Sequence, residues 1–266
     1  MLMKKLVTLS LLGFFAIGCK ENKKEEIGVE NYPTETETVL KTEDVITISP
    51  IEHASAVLQW GETTIYIDPV GGAGEYTEQK KPNLLLITDI HGDHLDSVTL
   101  DSLDLSETKI IVPQAVADKL PENLKSQLQI LANGEKAVFN GITIEAIPMY
   151  NLREEALKFH TKGRGNGYLL SKDEERIYFS GDTEDIPEMR ALKDIDKAFI
   201  CMNLPYTMTE ESAASAVLEF KPKQVYPYHY RGNPEVSDVA KFKKLVNEGD
   251  PTIEVIQLDW YPKMDY

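Results

Sequence analysis

Positive charge, sulfur and imidazole are all scarce in this chain. Its 266 residues carry 28 Lys and Arg against 44 Asp and Glu, for a formal charge of −16. A chain this acidic repels a polyphosphate backbone, which sets nucleic acid aside as a partner; its simplest effect is solubility. Two cysteines, Cys19 and Cys201, do not make a disulfide framework. Only five histidines are present, His53, His91, His94, His160 and His229, so any imidazole chemistry must draw on these. No apolar run reaches the ~20 residues of a spanning helix. What is present is a 42% share of hydrophobic residues, enough for a sizeable core in one large or two small domains.

The N-terminus, MLMKKLVTLSLLGFFAIGCK, has a basic start at Lys4 and Lys5, then an apolar stretch from Leu6 to Ile17 and small residues before Cys19. This resembles a bacterial lipoprotein signal. The resemblance implies cleavage of residues 1–18, lipidation of Cys19 and membrane attachment at the periplasmic or surface face of the cell envelope. The alternative is an ordinary secretory signal with a chance cysteine. Residues 19–44 then form a lipidated Cys and a tether, because their polar, charged composition cannot bury enough surface to fold alone.

From about residue 45 the pattern changes. VITISP, ASAVLQW, TTIYIDPV, NLLLITD, KIIVP, KAVFN and ITIEAIP are β-branched or apolar runs between turn residues and predict strands. GYLLSK, RIYFSGD, KAFICMN, KQVYPYHY and TIEVIQLD continue the series. Asn140-Gly141 signals a hairpin. PQAVADKL and PENLKSQLQIL predict helices with proline at the first helical position. TEESAASAVLEF and DVAKFKKLVNEG predict amphipathic helices. The two halves share a strand-rich, helix-punctuated organisation, which suggests two packed sheets with helices outside.

The segment TDIHGDHLD packs Asp89, His91, Asp93, His94 and Asp96 into eight residues behind an apolar run. In a continuing strand, Asp89, His91 and Asp93 would share one face; a turn at Gly92 would bring His94 back toward them. Converging carboxylates and imidazoles are metal ligands, although alone the segment could be a polar loop. His160, Asp182 and His229 each lie at the end of an apolar run, where open sheets build sites.

Taken in order, Asp89-x-His91-x-Asp93-His94, then His160, Asp182 and His229, this set resembles the metallo-β-lactamase fold family over essentially all of residues 45–266. Its usual signature begins with His, where Asp89 stands here. The flanking EHASAVLQWGETTIYIDPV and MNLPYTMT look like the branch that includes L-ascorbate-6-phosphate lactonase. The resemblance implies an α+β, four-layer αββα sandwich holding two divalent ions, Zn²⁺ or Mn²⁺, with Fe possible. It places Asp89, His91 and His160 on one ion, Asp93, His94 and His229 on the other, and Asp182 between them. A metal-bridged hydroxide would then cleave a small ester, lactone or phosphodiester, with Asp93 orienting the nucleophile. Asp89 could instead weaken its half of the site so that one ion remains.

Other residues have two readings each. His53 either lines the pocket and serves the leaving group or is a buried structural histidine. Asp68 either orients a ligand histidine or ends a strand. Asp96 is structural or supports the ligands. Arg164, among glycines, binds an anionic substrate group or lies on a surface loop. Asn203 and Tyr206 are candidates to face the substrate. Tyr228 and Tyr230 pack away from His229, and Cys201 is a buried thiol. Two other classes of function stay open: a non-catalytic metal- or solute-binding lipoprotein with a degenerate site, and a diiron redox protein.

Overall fold

The computed structural model describes residues 45–262. The signal segment, Cys19 and the tether lie outside the described residues. Six strands form one sheet in chain order: β1 Ile46–Glu52, β2 Ser55–Trp60, β3 Thr63–Ile67, β4 Leu84–Leu86, β5 Lys109–Val112 and β6 Leu128–Ile130. The first three are antiparallel, and β3 to β6 run parallel. The other sheet repeats the plan. Strands β7 Lys136–Phe139, β8 Ile142–Met149, β9 Gly165–Lys172 and β10 Glu175–Phe179 form an antiparallel meander. Strands β11 Lys197–Cys201, β12 Gln224–Tyr228 and β13 Glu254–Val255 then extend it in parallel.

Side-chain alternation explains how the first sheet sits between two apolar layers. Ala56, Leu58, Ile65, Ile67, Leu84, Leu86 and Ile111 enter the core between the sheets. Their neighbours Val57, Tyr66, Leu85, Ile110 and Val112 point the other way. There they meet Leu100 of helix α1 (Ser97–Ser102), Val116 of α2 (Gln114–Ala117), and Leu105, Leu120 and Leu124. Burial on both faces is why Leu84–Ile87 shows no polar alternation. On the second sheet, Phe179 stacks on Phe199 at 4.2 Å and Phe199 on Tyr226 at 4.7 Å. These are register partners on adjacent parallel strands, so the ring ladder and the strand pairing support each other. Fully burying each such ring contributes about 2–3 kcal/mol. After α3 (Pro187–Arg190), helices α4 (Glu210–Phe220) and α5 (Val239–Gly249) bury Val217, Phe220, Phe242 and Val246. Thr209 and Asp238 cap them through side-chain oxygens, as the TEES and SDVAK stretches suit.

The expected hairpin at Asn140-Gly141 is present, with both residues at positive φ, 48° and 78°. Three local expectations are corrected. PENLKSQLQIL is a 3₁₀ turn (Glu122–Gln127) followed by β6, not one helix. Leu124, Leu128 and Leu131 have helical spacing, but pairing with β5 overrides it. Pro113 and Pro121 are extended residues just before their turns, not first helical residues. TIEVIQLD pairs only at Glu254–Val255.

Candidate metal centre

Strand β4 ends at Leu86, so Asp89, His91 and Asp93 do not share a strand face. They lie on a loop that doubles back through hydrogen bonds from the His94 and Leu95 amides to the His91 carbonyl. Gly92 is not required for this: it lacks a positive φ, and an added Cβ there would meet open space. Asp96 ends the loop as the cap of α1, accepting from the Val98 amide.

Six connections meet at one edge of the two sheets. The β1–β2 turn brings His53; the ends of β3 and β4 bring Asp68 and residues 89–94. The loop after β8 brings His160, and the ends of β10 and β12 bring Asp182 and His229. The backbone is forced at this edge, with His53, Asp68 and His229 at φ of 58°, 44° and 47°. Gly181, at φ 60°, is the position before Asp182 that must be glycine. A Cβ there would come 2.7 Å from Met149 Sδ and 3.2 Å from Thr88 Cβ.

Among the described residues three triads of donor atoms each lie within 4.8 Å of one another, His94–Asp182–His229, His53–Asp93–His229 and Asp89–His91–His160, and together they make two clusters. In one, Asp182 Oδ2 lies 3.1 Å from His160 Nε2 and 3.3 Å from His94 Nε2; Asp182 Oδ1 is 3.2 Å from His229 Nε2. His94 and His229 face each other through Nε2 at 3.1 Å, and Asp93 Oδ2 is 3.4 Å from His229 Nε2. In the other, Asp89 Oδ2 is 2.8 Å from His91 Nδ1, and the His91 and His160 rings lie 5.2 Å apart.

Proton positions follow from the outer partners. His94 Nδ1 lies 2.8 Å from Asp68 Oδ2, and the Asp68 carboxylate also accepts from the Thr88 amide and hydroxyl. A neutral His94 therefore carries its proton on Nδ1, which leaves the Nε2 lone pair toward Asp182. Asn151 donates its amide NH₂ to the carbonyls of Ala156 and Tyr206, which turns its Oδ1 to His160 Nδ1. His160 thus also presents an Nε2 lone pair to Asp182. Asp182 Oδ1 is buried with no hydrogen-bond partner. Imidazole nitrogens and carboxylate oxygens crowd together here, an arrangement that calls for positive charge among them. Donors about 2.1 Å from one ion in a tetrahedron lie about 3.4 Å apart, close to the 3.1–3.4 Å separations around His229. The residues fit a divalent metal ion.

Charge agrees with geometry. Burial would raise the pKa of Asp182, but positive charge on the surrounding imidazoles of His229, His94 and His160 holds it well below the ordinary carboxylate range, the role a bound cation would fill. Asp93 is likewise held low against burial by His229 and His53. Burial, then His229, pushes His53 down to about 4.

The structure brings Asp89, His91, Asp93, His94, His160, Asp182 and His229 together. His53 joins them: Nε2 is 3.2 Å from Asp93 Oδ2 and Nδ1 is 2.6 Å from the Tyr261 hydroxyl. The Asp93 carboxylate can only accept, so a neutral His53 gives it Nε2–H, and Nδ1 accepts from the Tyr261 hydroxyl, which itself accepts from the Arg231 amide. Both His53 nitrogens are engaged, and the neutral ring holds Asp93. Arg164 is neither a surface residue nor open to an anion: Nε and one terminal nitrogen grip both oxygens of Asp89 at 3.0 and 2.7 Å. Asn203 turns into its own loop, accepting from the Thr207 hydroxyl, and does not join the group. Tyr206 packs edge-on against Phe159 beside His160. Tyr228 and Tyr230 are buried, and Cys201 is a buried thiol whose pKa burial raises to about 12. Asp68 takes its orienting reading. Sequence reasoning missed Asn151 and Tyr261, whose roles depend on long-range loop placement. It also missed the Arg153–Glu184 pair, which ties loops 150–153, 182–185 and 205–207 together.

The chain matches the family described as beta-lactamase superfamily domain over residues 47–229. It is 30% identical over 200 residues to a UPF0173 metal-dependent hydrolase of Thermococcus onnurineus, covering 71% of this chain and 87% of that one. A homologue from Pyrococcus horikoshii with the same designation is 28% identical over 214 residues, covering 77% and 93%. A crystal structure from Parabacteroides distasonis, of a protein classed as a metal-dependent hydrolase, is 37% identical with a TM-score of 0.72. It covers 81% of this chain and 94% of that one. The metallo-beta-lactamase fold protein YhfI of Bacillus subtilis superposes with a TM-score of 0.64 at 11% identity, over 81% and 97% of the two chains, a likeness of fold alone. The convergent donors, the two-sheet sandwich and these matches agree: the chain belongs to the beta-lactamase superfamily domain family and is one of its metal-dependent hydrolases.

Proposed function

We propose that the protein is an envelope-anchored hydrolase of small esters, lactones or phosphodiesters, with lactones the first substrates to try. The observation that carries the reading is the convergence of His94 and His160 Nε2 on the buried carboxylate of Asp182, whose Oδ1 has no hydrogen-bond partner. Asp93, His94, Asp182 and His229 would hold a divalent ion, and His160 faces the same carboxylate. Three imidazoles and two carboxylates suit Zn²⁺ or Mn²⁺. When bound, the ion supplies Lewis acidity toward the scissile group and a water acidified to near-neutral pKa.

The chain's own residues do the rest. Asp93 is 40% exposed at its side chain and His91 39%, whereas His94, His229 and Asp182 are buried. The open side of the centre is therefore flanked by Asp93 and His91, and substrate enters there. Asp93, oriented by His53 Nε2–H, accepts a hydrogen bond from the attacking water and fixes its direction. Tyr261 keeps His53 in the tautomer that does this. Asp68 and Asn151 keep Nε2 of His94 and of His160 turned inward.

Hydrolysis of p-nitrophenyl esters, a model lactone and bis-p-nitrophenyl phosphate by the purified chain tests the reading. At least one is expected to be cleaved, to stop with chelator and to return with Zn²⁺ or Mn²⁺. Cleavage that ignores chelator, or none with any ion, would overturn it. Anchoring rests on the sequence before Cys19 and has its own check. Cys19→Ser is expected to move the protein from the membrane to the soluble fraction; unchanged membrane association would rule out the lipid anchor.

A further inference from the structure

We propose that the Asp89–Arg164 pair takes the place of a second metal ion, so that this chain holds one ion, beside Asp182, and a fixed guanidinium where the family resemblance implies another. The inference rests on the metal-hydrolase reading above and concerns only how many ions the centre takes.

The two halves of the donor cluster are chemically unlike. On the His94 side, His94 and His229 face each other through Nε2 at 3.1 Å, and Asp182 Oδ1 is buried with no hydrogen-bond partner. On the Asp89 side the carboxylate is already satisfied. Arg164 Nε donates to Oδ1 at 3.0 Å and its terminal nitrogen to Oδ2 at 2.7 Å, a two-pronged fork. The same terminal nitrogen donates to the Phe159 carbonyl at 2.6 Å, which anchors the guanidinium to the backbone next to His160. The Asp89 side chain is fully buried and that of Arg164 is 18% exposed, so solvent does little to loosen the pair.

Charge gives the same answer. Arginine does not release its proton in a protein, so this positive charge is permanent. A dication at Asp89 and His91 would sit against it at close range, where like charges repel. Asp89 and Arg164 together carry no net charge, as would the neutral histidine that opens the usual signature. The substitution of His by Asp thus comes with its own counter-ion and keeps the charge of the centre. His91 and His160 remain on this side beside a built-in cation. In this arrangement Arg164 is a positioning residue acting through Asp89.

The test is elemental analysis of the full chain, purified and equilibrated with excess Zn²⁺ or Mn²⁺ before removal of free metal. One ion per chain is expected. Two ions would overturn the inference and leave the metal-hydrolase reading intact; none would overturn both. A double variant, Asp89→His with Arg164→Gln, removes the fork and restores the usual histidine. It is expected to rise to two ions per chain with an unchanged circular dichroism spectrum. A folded double variant that still takes one ion would show that the limit lies outside this pair and would also overturn the assignment. The readout is stoichiometry, so it needs no knowledge of the substrate.

Discussion

Asp182→Ala is expected to empty the centre and lower hydrolysis by about 10³-fold or more. Its two oxygens lie within 3.1–3.3 Å of His160, His94 and His229. Removing it takes away the negative charge and the acceptor atoms that make the cluster attractive to a cation. Lewis-acid stabilisation by a bound metal is worth several kcal/mol, and each 1.36 kcal/mol is tenfold in rate. Asp182→Asn keeps the shape and one acceptor oxygen but loses the charge, so it should retain some metal at high concentration. Elemental analysis alongside hydrolysis separates the steps. Metal content unchanged in the alanine variant would remove Asp182 from the ligand set; lost activity with retained metal would make it a group that orients the reaction.

Arg164→Ala is expected to cost about 3–5 kcal/mol of folding stability, because breaking a buried ion pair strands the partner charge. The stranded group is Asp89, at 0% exposure. Urea unfolding at neutral pH measures the loss. A loss under about 1 kcal/mol would mean that the pair is solvated and weak, as exposed ion pairs are. The pH dependence has a definite sign. Burial works to raise the Asp89 pKa, but His91, His94 and then Arg164 hold it at about 2, below the ordinary 3.8. The contribution is therefore fully present above the ordinary value and is lost as pH falls toward 2. Wild type and Arg164→Ala should converge in stability in strong acid and differ most near neutrality.

The cluster was legible because it is dense and ordered. Asp89, His91, Asp93 and His94 crowd one short loop, and His160, Asp182 and His229 follow strand ends in the family's order. What could not be read was their mutual protonation. That depends on Asp68, Thr88, Asn151 and Tyr261, three of which are separated from their histidine partners by 9 to 208 residues. Arg164 was visible only as a charged residue among glycines; nothing local says that it meets Asp89, 75 residues earlier. The sheets were legible from apolar runs because both faces of β4 and β5 are buried. The 122–130 segment failed because leucines spaced by four and three suit a helix equally well, and only pairing with β5 decides.

The seam between the sheets gives the donors a second consequence. His53, Asp68 and residues 89–94 come from the first sheet's connections; His160, Asp182 and His229 come from the second's. His94 and His229, 135 residues apart in the chain, are neighbours only when the two halves are docked. An ion held there acts as a clasp: it binds the closed chain and has no site on the opened one. Ligand at 100 times its dissociation constant adds about 2.7 kcal/mol to folding by mass action. The protein's lifetime is thereby coupled to metal supply. A chain deprived of its ion opens more often, and proteases that cut open chains remove it first.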